Sequence, residues 1–129
     1  MAVLHVDDDP LNLRVVQEIL SAFGLKSTQA SNGTEALEQL GTHLFDVVLM
    51  DIHMPGISGV EVVRRLRASV GPERNTPVIA LTADGLKRGE KYLTMGFDDL
   101  VAKPILVSRL YTAITRATAA PRGAFSRTG

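Results

Sequence analysis

The chain has no cysteine in its 129 residues, which excludes a disulfide framework and any thiol chemistry. It has no excess of charge either: 14 lysines and arginines face 14 aspartates and glutamates. That balance gives no electrostatic reason to expect nucleic acid or an anionic membrane as a partner. No apolar run approaches the ~20 residues that a membrane span needs. The opening Met1-Ala2-Val3-Leu4-His5-Val6 is too short for a secretory signal and leads straight into acids. Internal repeats and low-complexity tracts are absent. A cytoplasmic protein without a membrane anchor is the resulting expectation.

What is present fits one globular domain. The length suits a single core, and 45% hydrophobic residues is ordinary for such a chain. Short apolar runs alternate with amphipathic stretches. Val3-Leu4-His5-Val6 reads as a buried strand. Asp9-Pro10 opens a helix, because aspartate caps well and proline suits the first helical position. Leu11, Val15, Ile19 and Leu20 keep the helical period until Gly24. A weaker strand spans 25–30, and Ser31-Asn32-Gly33 leads into a helix over 35–40. The strand Phe45-Asp46-Val47-Val48-Leu49-Met50 is the most apolar and ends at Asp51, which suggests a central strand covered on both faces. After the loop 54–59, Val60, Val63, Leu66 and Val70 mark a third helix. Thr76-Pro77 precedes a strand over 78–82. A polar helix over about 86–95, a strand over 99–102 and a helix over 105–117 complete the pattern. Five strands alternating with five helices predict an α/β fold, a doubly wound five-stranded parallel sheet with helices on both faces.

In such a sheet the ligand crevice lies at the carboxyl ends of the strands. There the pattern brings together Asp7 and Asp8, Asp51, Thr82 and Lys103. Carboxylates crowded at 4 Å repel by ~1 to 4 kcal/mol per pair, depending on the effective dielectric. A hard divalent cation offsets that, and a carboxylate oxygen set suits Mg²⁺, with Mn²⁺ as an alternative. The same set suits phosphoryl transfer. Asp51 can attack phosphorus to form an acyl phosphate. The cation, the Lys103 ammonium and the Thr82 hydroxyl can each meet one phosphoryl oxygen.

At these residues the chain resembles the receiver domains of two-component response regulators. The resemblance runs from Val3 to Thr118 on four motifs in order: Val6-Asp7-Asp8-Asp9-Pro10-Leu11-Asn12, Leu49-Met50-Asp51-Ile52-His53-Met54-Pro55-Gly56, Ala80-Leu81-Thr82-Ala83 and Ala102-Lys103-Pro104. The Asp9-Pro10-Leu11-Asn12 stretch is most similar to receivers of hybrid histidine kinases. The resemblance implies a flavodoxin-like strand order of 2-1-3-4-5 and a receiver domain over 1–118; the tail over 119–129, with Pro121, Gly123 and Gly129, reads as frayed or disordered from its own composition. It implies that Asp7 and Asp8 hold Mg²⁺, one of them through water. Asp51 would be the phosphoacceptor and a metal ligand, and His53 would offer its backbone carbonyl to the metal. Thr82 and Lys103 would bind the phosphoryl group, and Pro104 would follow a cis peptide. A histidine kinase or histidine phosphotransfer protein would be the donor, and a homodimer stays open. Catalysis would be limited to self-phosphorylation and slow autodephosphorylation. One departure stands out: the family often carries an aromatic residue three positions before the lysine, and here that residue is Leu100.

Plainer readings compete at several positions. Asp9 reads as a helix cap rather than a ligand. Thr82 and Lys103, taken singly, are an ordinary strand residue and a solvated lysine. His53 lacks the second histidine expected of a side-chain metal site, and His5 and His43 read as structural or exposed. Asp84 and His53, at the site edge, are expected to tune hydrolysis of the acyl phosphate. Leu100, Val101, Leu106, Leu110 and Tyr111 form either a partner surface or part of the core. Other functions fit worse. A haloacid dehalogenase type needs an acid two residues after its nucleophile, where this chain has His53. A flavin or nucleotide binder needs a phosphate-cradling loop after the first strand, where three aspartates would repel phosphate. A pseudo-receiver would have lost the acids or the lysine.

Overall fold

The computed structural model describes residues 1–119. Its strands are β1 (Ala2–Val6), β2 (Lys26–Ala30), β3 (Val47–Asp51), β4 (Val78–Thr82) and β5 (Asp99–Ala102). Its helices are α1 (Pro10–Ala22), α2 (Gly33–Thr42), α3 (Gly59–Ala68), α4 (Gly85–Gly89) and α5 (Val107–Ala119). All strand pairs are parallel and the order is β2-β1-β3-β4-β5. This is the expected doubly wound sheet. The expected tail lies outside the described residues, apart from Ala119, which closes α5.

Side chains alternate across the sheet, so one strand feeds two cores. Val48 and Met50 of β3 enter the layer under α2 and α3, with Leu4, Val62, Val63, Leu66, Tyr92 and Phe97. Val47 and Leu49 enter the layer under α1 and α5, with Val16, Leu20, Leu110 and Ile114. β3 and β4 are buried throughout, as central strands of a doubly wound sheet must be.

Local chemistry sets the helix ends. The Asp9 carboxylate accepts from the Leu11 amide, and Pro10 opens α1. The Asn32 side chain accepts from the Glu35 amide, while Glu35 reaches back to the Ser31 amide. That reciprocal cap starts α2 at Gly33, earlier than the period predicts. The Ser69 amide and hydroxyl both donate to the Leu66 carbonyl and stop α3. Val70, expected on the buried stripe, therefore falls past the helix and is 96% exposed.

Two further expectations change. In α1 the buried stripe is Val16 and Leu20, whereas Leu11 and Val15 are 66% and 44% exposed. Two apolar stripes share that helix, and the period alone does not choose between them. The polar segment expected to form one helix is instead the short α4 followed by a 3-10 turn, Glu90–Met95, ending at Gly96 with φ 105°.

A half-buried cation ties the amino-terminal edge of the sheet. The Arg67 guanidinium, from the end of α3, donates to the carbonyls of Arg74, Thr76 and Gly96 and to the Asp98 carboxylate. Asp98 also accepts from the Val78 amide at the start of β4.

Candidate functional site

Parallel strands bring their carboxyl ends to one edge, and the chemistry collects there. Asp7 follows β1, Asp51 ends β3, Thr82 ends β4, and the Lys103 amide bonds the Thr82 carbonyl just past β5. One carboxylate oxygen from each of Asp7, Asp8 and Asp51 lies within 4.8 Å of the others. Asp7 and Asp51 are buried and Asp8 is exposed, so the group opens to solvent on one side.

The partners of these carboxylates are few. Asp7 Oδ1 accepts from the Asp9 amide at 2.9 Å. Asp7 Oδ2 is buried without a hydrogen bond, with Lys103 Nζ 3.6 Å away. Lys103 Nζ donates to Asp51 Oδ1 at 3.0 Å. Burial pushes the Asp51 carboxyl above its ordinary value, and Asp7 and Asp8 add to that, while Lys103 pulls it back part of the way. Burial works against the Lys103 ammonium as well. The hydrogen bond and attraction of Asp51, with Asp7 helping, outweigh it and hold the lysine above its usual pKa.

Three carboxylates against one ammonium leave two negative charges. A buried acceptor with no donor costs about 1 to 3 kcal/mol or more for a charged group. A divalent cation matches both the charge and the orphaned Asp7 oxygen, and the all-oxygen donor set suits a hard ion such as Mg²⁺. The residues present therefore fit the ion.

Around this centre, Thr82 is buried and its Oγ1 accepts from the Asp84 amide at 3.0 Å. His53 is exposed, and its ring faces Asp84 (Nε2 to Oδ2, 3.4 Å) rather than joining the carboxylate group. The Lys103-Pro104 peptide is cis, as the resemblance implies. The candidate partner surface divides: Val101 and Leu110 are core, Leu100 packs against the core, and Leu106 and Tyr111 are exposed. His5 is fully buried and His43 is exposed.

Two features escape a reading of the sequence. The first is Gly59, at the start of α3. A methyl group there would run into the Asp51 carbonyl oxygen and lie 2.9 Å from Met50 Cγ, so the helix can seat against the end of β3 only without a side chain. Its place in a glycine-containing loop is the only signal for this. The second is Tyr92, whose hydroxyl donates to Asp84 Oδ2 at 2.7 Å. No motif or period points to it.

An acidic, cation-fitted pocket with one lysine, at the carboxyl edge of a 2-1-3-4-5 parallel sheet, defines a class of phosphoryl-handling switch. Comparison with known proteins gives the particular family. The profile of the response regulator receiver domain matches residues 3–115. The chain is 36% identical over 114 residues to the aerobic respiration control sensor protein ArcB of Escherichia coli, covering 88% of this chain and 15% of that protein. It is 35% identical to the polar-differentiation response regulator DivK of Brucella anthropi, covering 88% of this chain and 92% of that one. The solved receiver domain of a sensor histidine kinase from Pseudomonas aeruginosa, with a magnesium ion coordinated in its active-site cleft, superposes with a TM-score of 0.85 at 30% identity, covering 92% and 98% of the two chains. This chain belongs to the response regulator receiver domain family of two-component signalling. It spans only 15% of the length of ArcB. No helix among the described residues is long and apolar enough to cross a membrane.

Proposed function

We propose that the receiver unit, residues 1–118, takes a phosphoryl group on Asp51 from a phosphohistidine donor. Asp7, Asp8, Asp51 and the backbone carbonyl of His53 would hold Mg²⁺ or Mn²⁺. The observation that carries the reading is the gathering of Asp7, Asp8 and Asp51 around an unpartnered buried oxygen, with Lys103 Nζ 3.0 Å from Asp51.

An Asp51 carboxylate oxygen attacks phosphorus while the P–N bond of the donor breaks. The electron pair returns to the donor's imidazole, which leaves neutral when its other nitrogen carries a proton. The ion, when bound, neutralises charge on the transferring group. The Lys103 ammonium leaves Asp51 Oδ1 for a phosphoryl oxygen, and the Thr82 hydroxyl donates to another. Beyond this labelling and slow dephosphorylation the domain catalyses nothing. Its relatives include a receiver within a sensor kinase and a regulator that it matches almost end to end. The proposed step does not depend on which setting applies, and a cytoplasmic location is part of this reading.

A histidine kinase or phosphotransfer protein must rest beside Asp51 to deliver its phosphoryl group. Leu11 and Val15 on α1 and Leu106 after β5 are exposed and apolar. The crevice lined by Asp7, Asn12, Val15, Lys103, Pro104 and Ile105 adjoins them. These residues supply the docking surface. The reading includes no nucleic-acid partner, since a net charge of zero gives no electrostatic reason for one.

The test is incubation with Mg²⁺ and acetyl phosphate. Intact mass should rise by one phosphoryl group, and Asp51→Asn should abolish most of the gain. Labelling at another residue would overturn the assignment.

A further inference from the structure

Tyr92 is nearly as buried as the core around it, yet its hydroxyl reaches out of that core to the rim of the site. It donates to Asp84 Oδ2 at 2.7 Å, and the Asp84 amide in turn donates to Thr82 Oγ1 at 3.0 Å. Two hydrogen bonds therefore join an aromatic ring under the sheet to the hydroxyl at the end of β4.

We propose that Tyr92 is a positioning residue for phosphoryl transfer, acting through Asp84 to hold the Thr82 hydroxyl in its donating orientation. The inference rests on the receiver reading of Asp51. A threonine hydroxyl has one proton and two acceptor sites. The Asp84 amide occupies an acceptor site, which leaves the proton free for a phosphoryl oxygen. The same grip keeps the Asp84 carboxylate on Tyr92 and beside His53, away from an incoming anion.

The surroundings make the hold firm. Tyr92 packs edge-on against Phe97, with ring centres 5.9 Å apart. Gly89 of α4 lets backbone approach here: a methyl group on it would lie 3.3 Å from both Thr82 Cγ2 and Leu100 Cδ1, and 3.9 Å from Tyr92 Cδ2. Thr82, Leu100 and Tyr92 thus meet around one glycine. Burial and the Asp84 carboxylate push the Tyr92 hydroxyl up to about 12, so it remains a donor at neutral pH. The Tyr92 hydrogen bond in turn lowers the Asp84 carboxyl.

Tyr92→Phe removes the hydroxyl and keeps the ring. Asp84 is about a quarter exposed, so water can replace the lost donor and the variant folds. Asp51 labelling by acetyl phosphate with Mg²⁺ is measured for the wild type, Tyr92→Phe, Thr82→Ala and the double variant, alongside a Mg²⁺ titration of each. Tyr92→Phe should slow labelling about fivefold by loosening a reacting group, with Mg²⁺ affinity unchanged, and should have no further effect on Thr82→Ala. Three results would overturn the assignment: an unchanged rate in Tyr92→Phe, the same slowing in the Thr82→Ala background, or weakened Mg²⁺ binding, which would mark a structural effect. A wild-type chain that takes no label overturns the receiver reading itself and this inference with it.

Discussion

Lowering the pH from about 7 to about 5 is expected to cost the fold about 2 kcal/mol through His5 alone. His5 is 1% exposed in the middle of β1, between Gln29 of β2 and Leu49 of β3. Neither ring nitrogen has a hydrogen-bond partner. Burial pushes its pKa from 6.5 to about 4, with Asp7 opposing and Lys103 assisting. The unfolded chain binds a proton at this residue near pH 6.5, and the folded chain does so only near pH 4. Between those values the unfolded state binds more protons, so stability falls as pH falls and levels off below about 4. The full window is worth about 3 kcal/mol at ~1.4 kcal/mol per pKa unit, and roughly two thirds of it lies above pH 5. Urea unfolding of the metal-free protein at the two pH values, beside His5→Leu, isolates the effect from the carboxylates. The wild type should lose about 2 kcal/mol more than the variant. Equal pH slopes in the two proteins would refute the argument.

The site makes three further predictions. Gly59→Ala should destabilise the fold by about 1 to 3 kcal/mol, seen in thermal unfolding, and should slow Asp51 labelling, because the new methyl group displaces the Asp51 carbonyl. An unshifted melting temperature would show that α3 has room to move. Lys103→Ala removes a positive charge from beside two carboxylates, so Mg²⁺ should bind about tenfold more tightly while labelling falls; a titration showing equal or weaker affinity would mean that ammonium and ion do not compete. Leu11→Glu should impair transfer from a phosphohistidine donor protein and leave labelling by acetyl phosphate unchanged, and comparable loss with both donors would rule out docking on α1.

The reading of the sequence reaches furthest where strands are bounded sharply. Pro77 and Thr82 bracket β4, and Lys103-Pro104 ends β5, so both appear at the expected residues. Asp7, Asp8, Asp51 and Lys103 were legible for a related reason: in a parallel sheet, a polar residue that ends an apolar run must emerge at the carboxyl edge. Burial within α1 was not legible, because Leu11 and Val15 match the helical period as well as Val16 does, and only packing against the sheet selects the stripe. The break between α4 and the 3-10 turn falls at Gly89, where a side chain would press on Thr82 and Leu100, a neighbourhood that sequence spacing does not reveal. The Tyr92 to Asp84 hydrogen bond closes over a turn at Gly85, where no periodicity exists to mark it.

Arg67 gives the domain a stiff base. Its guanidinium fastens the segments that precede β4 and β5 to the tail of α3, at the end of the sheet opposite the acids. β4 and β5 are thus pinned where they begin and left untouched by this clamp where they end. A ligand arriving among the carboxylates meets the unclamped ends of those two strands, beside Thr82 and Lys103.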